Sequence, residues 1–182
     1  MSVTRELVAA VRGRLTAEPD LSTARLAEEL RVSEVEVITA MPKAMRLRAG
    51  RGDFEAIWKT ARGWRNASVT LGAALHVDMP RAAAAGLLPV TPALKEMTAS
   101  IWFVSRPLER GGTDHAVRFF DRTGSHIVSV HVGANASGEP DKETEAGYSA
   151  LRGSFGIIPV PPLRCAGCGK CSCKKSAASG QR

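Results

Sequence analysis

The sequence predicts an α+β fold: an N-terminal helical cap of helix-turn-helix outline, then a curved antiparallel β-sheet, then a disordered cysteine-rich C-terminal tail. Three observations carry that prediction. Apolar residues recur at helical spacing through the first third of the chain, and the period turns to two in Ile101–Gly133. All four cysteines fall between Cys165 and Cys173. The sheet is anchored by the runs Ala116–Phe120 and His126–Val132, which flank Asp121-Arg122-Thr123-Gly124 and read as a β-hairpin. Val128, Val130 and Val132 fall on one face of the second run, with Ile127, Ser129 and His131 on the other. A face of valines must pack against something, which places the hairpin in the middle of a sheet.

From the N-terminus, Leu7, Val8, Val11 and Leu15 mark a first amphipathic helix, broken at Glu18-Pro19-Asp20. Leu21-Ser22-Thr23 supplies a cap for a second, with Leu26, Ala27 and Leu30 as its stripe. Ser33 caps a third, with Glu36 at the capping-box position and Val35, Ile38 and Met41 inward. Two short helices across a tight turn outline a helix-turn-helix. Its second helix opens with Glu34 and Glu36 and has no basic residue between Ser33 and Met41. Carboxylates facing phosphate are repulsive, so a packed cap is expected here rather than a DNA reader, and no nucleic-acid partner. Lys43, Arg46, Arg48 and Arg51 form a basic patch in the loop that follows. Asp53 opens a fourth helix, Phe54–Trp64, with Phe54, Ile57, Trp58 and Ala61 on one face.

Ser68–Leu71 and Ala74–Val77 around Gly72-Ala73 make a tight hairpin, while Arg81–Pro92 shows no clear period and reads as loop or short helix. Leu94–Met97 reads as a strand leading into Ile101–Val104. Lys142–Leu151 reads as a terminal helix with Ala146, Ala150 and Leu151 inward. The proline-rich Ile157–Leu163 then separates body from tail. Domain limits follow: 1–154 for the α+β body (helical cap 1–65, sheet 66–133, terminal helix 142–152) and 155–182 for linker and tail.

Composition narrows the function classes. The chain has 182 residues, enough for one main domain and an appendage, and a formal charge of +7. The sheet region is near neutral, and much of the excess lies in the short tail, which reads as a solvated extension. No apolar run approaches the roughly 18 residues of a membrane span, and a signal-peptide order is missing at the start, so a cytoplasmic protein with no membrane partner is expected. A Gly-rich phosphate loop, a nucleophile elbow, a His-Glu-x-x-His motif and paired helical carboxylates are all missing, which points away from an enzyme.

The blocks STARLAEELRVSEVEVITAMP, DFEAIWKTARGW, IWFVSRPLERG and AVRFFDRTGSHIVSVHVG, in that order, resemble the cytosolic haem-utilisation carriers of the ChuX/HutX type. The likeness runs from about Glu18 to Leu151. It implies an α+β fold with a curved antiparallel sheet, a homodimer, and a non-enzymatic role in holding haem or a related tetrapyrrole and passing it on. The sequence departs from that family between Trp64 and Ile101, where it is shorter and lacks an aromatic segment. Its one tyrosine is Tyr148. No ligand carries over residue by residue.

Haem needs an axial donor, and the histidines are His76, His115, His126 and His131. His76 sits in the shortened hairpin, closest to the region the family uses, and His131 shares its face with Ile127 and Ser129; these two are the candidate haem ligands, His76 ahead of His131, on a concave sheet face offering an apolar wall. His126 and His131 differ by an odd number, so in a regular strand they face opposite sides. In the tail, Cys165, Cys168, Cys171 and Cys173 stand at spacings that let thiolates share one metal ion. Zinc and copper(I) suit four thiolates, and the nearby lysines favour the thiolate form. The missing fourth cysteine of an iron–sulfur loop makes a cluster the lesser alternative, with a redox tail the other. A metal or redox module on a dimeric scaffold is therefore the rival to haem carriage, and a helix-turn-helix regulator the second rival.

Overall fold

The structure, a computed structural model, describes residues 3–64, 66–72, 75–89, 91–109, 112–133 and 141–155. The cysteines Cys165, Cys168, Cys171 and Cys173, the proline-rich linker and the loop 134–140 lie outside the described residues. Three N-terminal helices, α1 (Arg5–Ala17), α2 (Thr23–Leu30) and α3 (Glu34–Ala40), precede β1 (Arg46–Ala49) and α4 (Phe54–Ala61). Then come β2 (Ala67–Leu71), β3 (Leu75–Asp78), α5 (Met79–Ala84) and α6 (Thr91–Met97). The chain continues through β4 (Ser100–Pro107), β5 (Thr113–Phe120), β6 (His126–Val132) and α7 (Lys142–Phe155). The six strands form one antiparallel sheet in the order β1-β4-β5-β6-β2-β3. An N-terminal helix cluster followed by an open antiparallel sheet is thus the fold, with the expected hairpin β5–β6 at its middle.

Local chemistry explains the helical starts. Thr4, Ser22 and Ser33 each accept a hydrogen bond from a backbone N–H of the first turn, and Ser33 with Glu36 completes a capping box. Arg31 takes a left-handed backbone, φ 54°, to turn α2 into α3.

Three readings are corrected. Leu94–Met97 is helix α6 rather than a strand, because Pro92 belongs in a first helical turn and Ala, Leu, Lys, Glu and Met that follow are strong helix formers. Arg46–Ala49 is an edge strand rather than a loop. Leu47 and Ala49 turn to one face, while Arg46 and Arg48 turn to the other and lie 5.9 and 5.8 Å from the Trp102 ring. On α7, Ala146 and Ala150 are exposed and Thr144 and Tyr148 are buried. The valine face packs as expected, filled by α4, α5, α6 and α7.

On that first face Ile101, Phe103, Val117, Phe119, Val128, Val130 and Val69 pack with Phe54, Ile57, Trp58, Leu94 and Tyr148 in one buried cluster. Phe119 receives the edges of Phe54 and Trp58, with ring centroids 5.7 and 5.6 Å away. Alanine at such a position costs about 3–5 kcal/mol. Tyr148 ties α7 down: its hydroxyl donates to the Val104 carbonyl at 3.0 Å and lies 3.1 Å from Ser105 Oγ. Ser105 also meets His115 Nδ1 at 2.9 Å and accepts from Arg152 at 3.0 Å. Burial pushes the Tyr148 hydroxyl up to about 12.

The second face is covered over one half only. There Trp102, Val104 and Phe120 pack against Val11, Leu15, Leu26, Val37, Ile38 and Met41 of α1–α3 and the residues around them. The other half, made by β5, β6, β2 and β3, carries the polar residues described next.

Candidate functional site

The register places Asp114 and Arg118 of β5, Ser129 and His131 of β6, Ser68 and Thr70 of β2, and His76 and Asp78 of β3 on the half-face that the helical cap leaves uncovered. Most of them alternate with core residues of the valine face, such as Val117, Phe119, Val128, Val130 and Val69. Threonine and serine at these positions keep strand geometry while presenting hydroxyls.

A row of polar contacts crosses five strands. Arg106 on β4, itself buried, donates from Nη2 to Asp114 Oδ2 at 2.7 Å. The other oxygen of Asp114 faces His131 Nδ1 at 3.7 Å. His131 Nε2 meets Thr70 Oγ1 at 3.2 Å, and Thr70 Oγ1 meets His76 Nδ1 at 2.9 Å. The His76 and His131 rings stand edge to face, 5.7 Å between centroids. Both candidate ligands therefore lie on one face, one exposed and one half-buried. Burial lowers the proton affinity of His131, while Asp114 beside it pulls the other way. Burial also opposes the charge of Asp114, yet His131 and the permanent charge of Arg106 hold that carboxyl well below the usual carboxylate range.

His126 joins them, against the parity argument. Phe120 pairs with His126 and Phe119 with Val128, so Ile127 is an extra residue, a β-bulge. Ile127 turns toward the valine-side core, and His126 comes round to the side of Ser129 and His131. Its Nδ1 donates to the Gly72 carbonyl at 2.8 Å, which leaves Nε2 to accept from Ser129 Oγ at 2.6 Å. Burial lowers the His126 proton affinity as well. His115 is the exception: it lies on the opposite face under α7, its ring 4.6 Å from that of Tyr148.

Two clefts flank the pair His76 and His131. One, of about 620 Å³, lies between the helical cap and the sheet and is lined by Ser33, Glu34, Arg118, His126, Ser129 and His131, among others. The other, of about 570 Å³, is lined by Asn66, Ser68, His76, Asp78, Arg81 and Gly133 with their neighbours. Both volumes fall in the range of small-molecule sites. At the floor of the first, buried Arg118 donates to Glu34 and, at 2.7 Å, to Thr23 Oγ1. Glu34 is thus turned into the sheet and clamps α3 to β5. Gly124, with φ 84°, brings the β5–β6 turn onto Ser33, where an added Cβ would come within 3.2 Å; this closes one end of the cleft.

Thr70, Asp114 and the Arg118–Glu34 pair were not singled out in the sequence, and His126 was set on the opposite face from His131. Arg118 carried a signal, being a charge set inside the apolar run Val117–Phe120, which demands a buried partner. The side of His126 carried none, since a bulge follows from strand pairing. Among the described residues no group of three or more His, Cys, Asp or Glu is placed to hold a bare metal ion.

With this geometry in hand, the comparisons speak to the fold. No family model and no curated protein matches the chain. Among solved structures, the haem-binding protein ChuX is similar at a TM-score of 0.63 and 18% identity, over 79% of this chain and 97% of ChuX. A protein from Agrobacterium tumefaciens is similar at 0.65 and 20%, over 83% of this chain and 92% of that one. Apo-PhuS, a haem-binding protein from Pseudomonas aeruginosa, is similar at 0.56 and 18%; the chain covers 83% of itself there and 47% of PhuS. At such identities the likeness is one of fold.

Haem asks for an axial donor and a seat, and imidazole is the donor type that the uncovered face presents. His76 is exposed, and only its Nδ1 is engaged among the described residues. The seat differs from the apolar wall expected: small Ser, Thr and Gly residues and imidazoles line it in place of large apolar side chains, with Arg81 on one side and the Arg118–Glu34 pair at the floor. The set fits a group held by coordination and by polar contacts at its rim.

Proposed function

We propose that this protein binds haem or a related tetrapyrrole on the uncovered half of the sheet and passes it on as a carrier, without catalysing a reaction on it. The observation behind this reading is that three of four histidines meet on the one half-face left open, in a fold shared with proteins named for haem binding. His76 and His131 are the candidate donors, and haem bound there would supply iron with a position for an imidazole nitrogen. The chain's own part is to orient those imidazoles and to offer one exposed cation, Arg81, to acidic groups on the cargo. An open seat suits a carrier. Cargo held by one coordinate bond and rim contacts leaves more readily than cargo enclosed in an apolar box.

Absorption spectroscopy tests this. Ferric haem titrated into the full chain is expected to give a saturable Soret shift at one haem per chain, and Ser68→Trp, which fills the trough beside His131, is expected to weaken it at least tenfold. With a reductant and oxygen added, the Soret band is expected to persist. No saturable shift would overturn haem binding, and steady bleaching of the band would overturn the carrier role.

A second proposal rests on the cysteine spacing alone, Cys165-x-x-Cys168-x-x-Cys171-x-Cys173. Four thiolates within nine residues suit a tetrahedral shell for zinc, with bonds of about 2.3 Å, or copper(I). This site would act beside the sheet rather than through it.

A further inference from the structure

We propose that the contacts Asp114, His131 and Thr70 fix His76 in the tautomer protonated at Nδ1, and so make His76 Nε2 the nitrogen that meets the cargo's metal. The inference rests on the haem reading for the identity of that metal, but the tautomer itself does not.

The argument is one of counting protons. The Thr70 hydroxyl touches both His131 Nε2, at 3.2 Å, and His76 Nδ1, at 2.9 Å. It owns one hydrogen, so it can donate to only one of the two imidazoles, and toward an imidazole to which it does not donate it must accept. The direction is set at the far end of the row. Asp114 stays ionised beside Arg106, whose Nη2 donates to it at 2.7 Å. Its free oxygen faces His131 Nδ1 at 3.7 Å, too long for a strong hydrogen bond but close enough to favour a proton on that nitrogen. With Nδ1 protonated, neutral His131 presents a lone pair at Nε2, and the Thr70 hydrogen points there. The Thr70 oxygen must then accept from His76, which places the His76 proton on Nδ1 and leaves Nε2 as a bare lone pair on the open face.

The other two imidazoles of this face are not available in the same way. His131 has both ring nitrogens engaged by Asp114 and Thr70. His126 Nε2 is held by Ser129 at 2.6 Å. His76 combines exposure with an Nδ1–H that is oriented from behind, the arrangement by which a hydrogen-bond partner sets a metal-binding imidazole. Thr70, His131 and Asp114 are positioning residues in this account.

Long-range ¹H–¹⁵N spectra of the full chain without haem, at pH near 8, report imidazole tautomers directly. The expected result is a protonated Nδ1 and an unprotonated Nε2 at His76, reverting to a mixed or Nε2-protonated form in Thr70→Val, whose shape preserves the strand. In ferric haem titrations, His76→Ala is expected to lose the histidine-ligated Soret position and Thr70→Val to weaken binding about tenfold or more. A protonated Nε2 at His76 in the wild-type chain, or a tautomer indifferent to Thr70→Val, overturns the positioning claim whatever haem does. The expected tautomer together with a haem complex unchanged in His76→Ala overturns the donor claim. A wild-type chain with the expected tautomer that takes no haem overturns the proposed function and leaves the hydrogen-bond polarity standing.

Discussion

At the scale of single residues, the uncovered face is governed by how much water each imidazole has lost. Burial lowers the proton affinity of His115, His126 and His131 relative to the ordinary imidazole near 6.5. The sign of the pH dependence follows. Above that value both folded and unfolded chains keep these rings neutral, and their contribution to stability is constant. As pH falls below about 6.5 the unfolded chain takes up protons that the folded chain refuses, so stability declines. Asp114 acts lower down. Its folded-state value is depressed, so its contribution is present above the ordinary 3.8 and is lost as pH falls below that. Urea midpoints are therefore expected to fall between pH 7.5 and 5.5, and His126→Gln with His131→Gln to flatten that fall; equal midpoints at the two pH values in the wild-type chain would contradict it.

Residue-level legibility was uneven for the same reason. That His131 shares a face with Ser129 was legible, because alternation in a strand is a local property; that His76 shares that face follows only from strand pairing. Thr70, which links them, is one of many threonines by sequence, and only pairing of β2 with both β3 and β6 puts it between two rings. Ile127 as an added residue reversed the side of His126, a fact with no local signature.

At the scale of elements, the helical cap is held to the sheet by an apolar seam and by one buried charge pair. Arg118 on β5 and Glu34 on α3 satisfy each other with Thr23. Removing one partner leaves a buried charge unmatched, so Glu34→Ala is expected to cost about 3–5 kcal/mol. The double variant Glu34→Leu with Arg118→Met is expected to recover most of that loss, because an apolar pair of similar volume avoids the desolvation. Chemical denaturation of the three proteins checks this, and a double variant no more stable than Glu34→Ala would contradict it. Elements with a strong period, α1 to α4 and the β5–β6 hairpin, were legible. Those set by packing were not: β1 is a strand because β4 offers it an edge, and α6 forms because a proline that ends one reading begins another.

At the scale of the whole molecule, the sheet has two unlike faces, and the split explains where a ligand has room. The valine face is consumed by α4–α7, while the cap covers only half of the other. The sequence showed the sheet and its apolar face but could not say which face the helices would choose. No helix among the described residues is long and apolar enough to cross a membrane. The cysteine tail belongs to this scale too, since its proposed site is separate from the sheet. Protein purified anaerobically is expected to carry close to one zinc or one or more copper(I) ions per chain, lost on truncation after residue 154; less than a tenth of an equivalent would contradict the tail proposal.

The central claim is that cargo sits on the histidine-bearing half-face. Paramagnetic ferric haem, added in sub-stoichiometric amounts to ¹⁵N-labelled full-length protein, broadens amide signals near its iron. The account predicts that Ser68, Thr70, His76 and His131 broaden first while α4 and α7 keep sharp signals. Broadening centred on α4 and α7, with the β2–β3 signals intact, would contradict it.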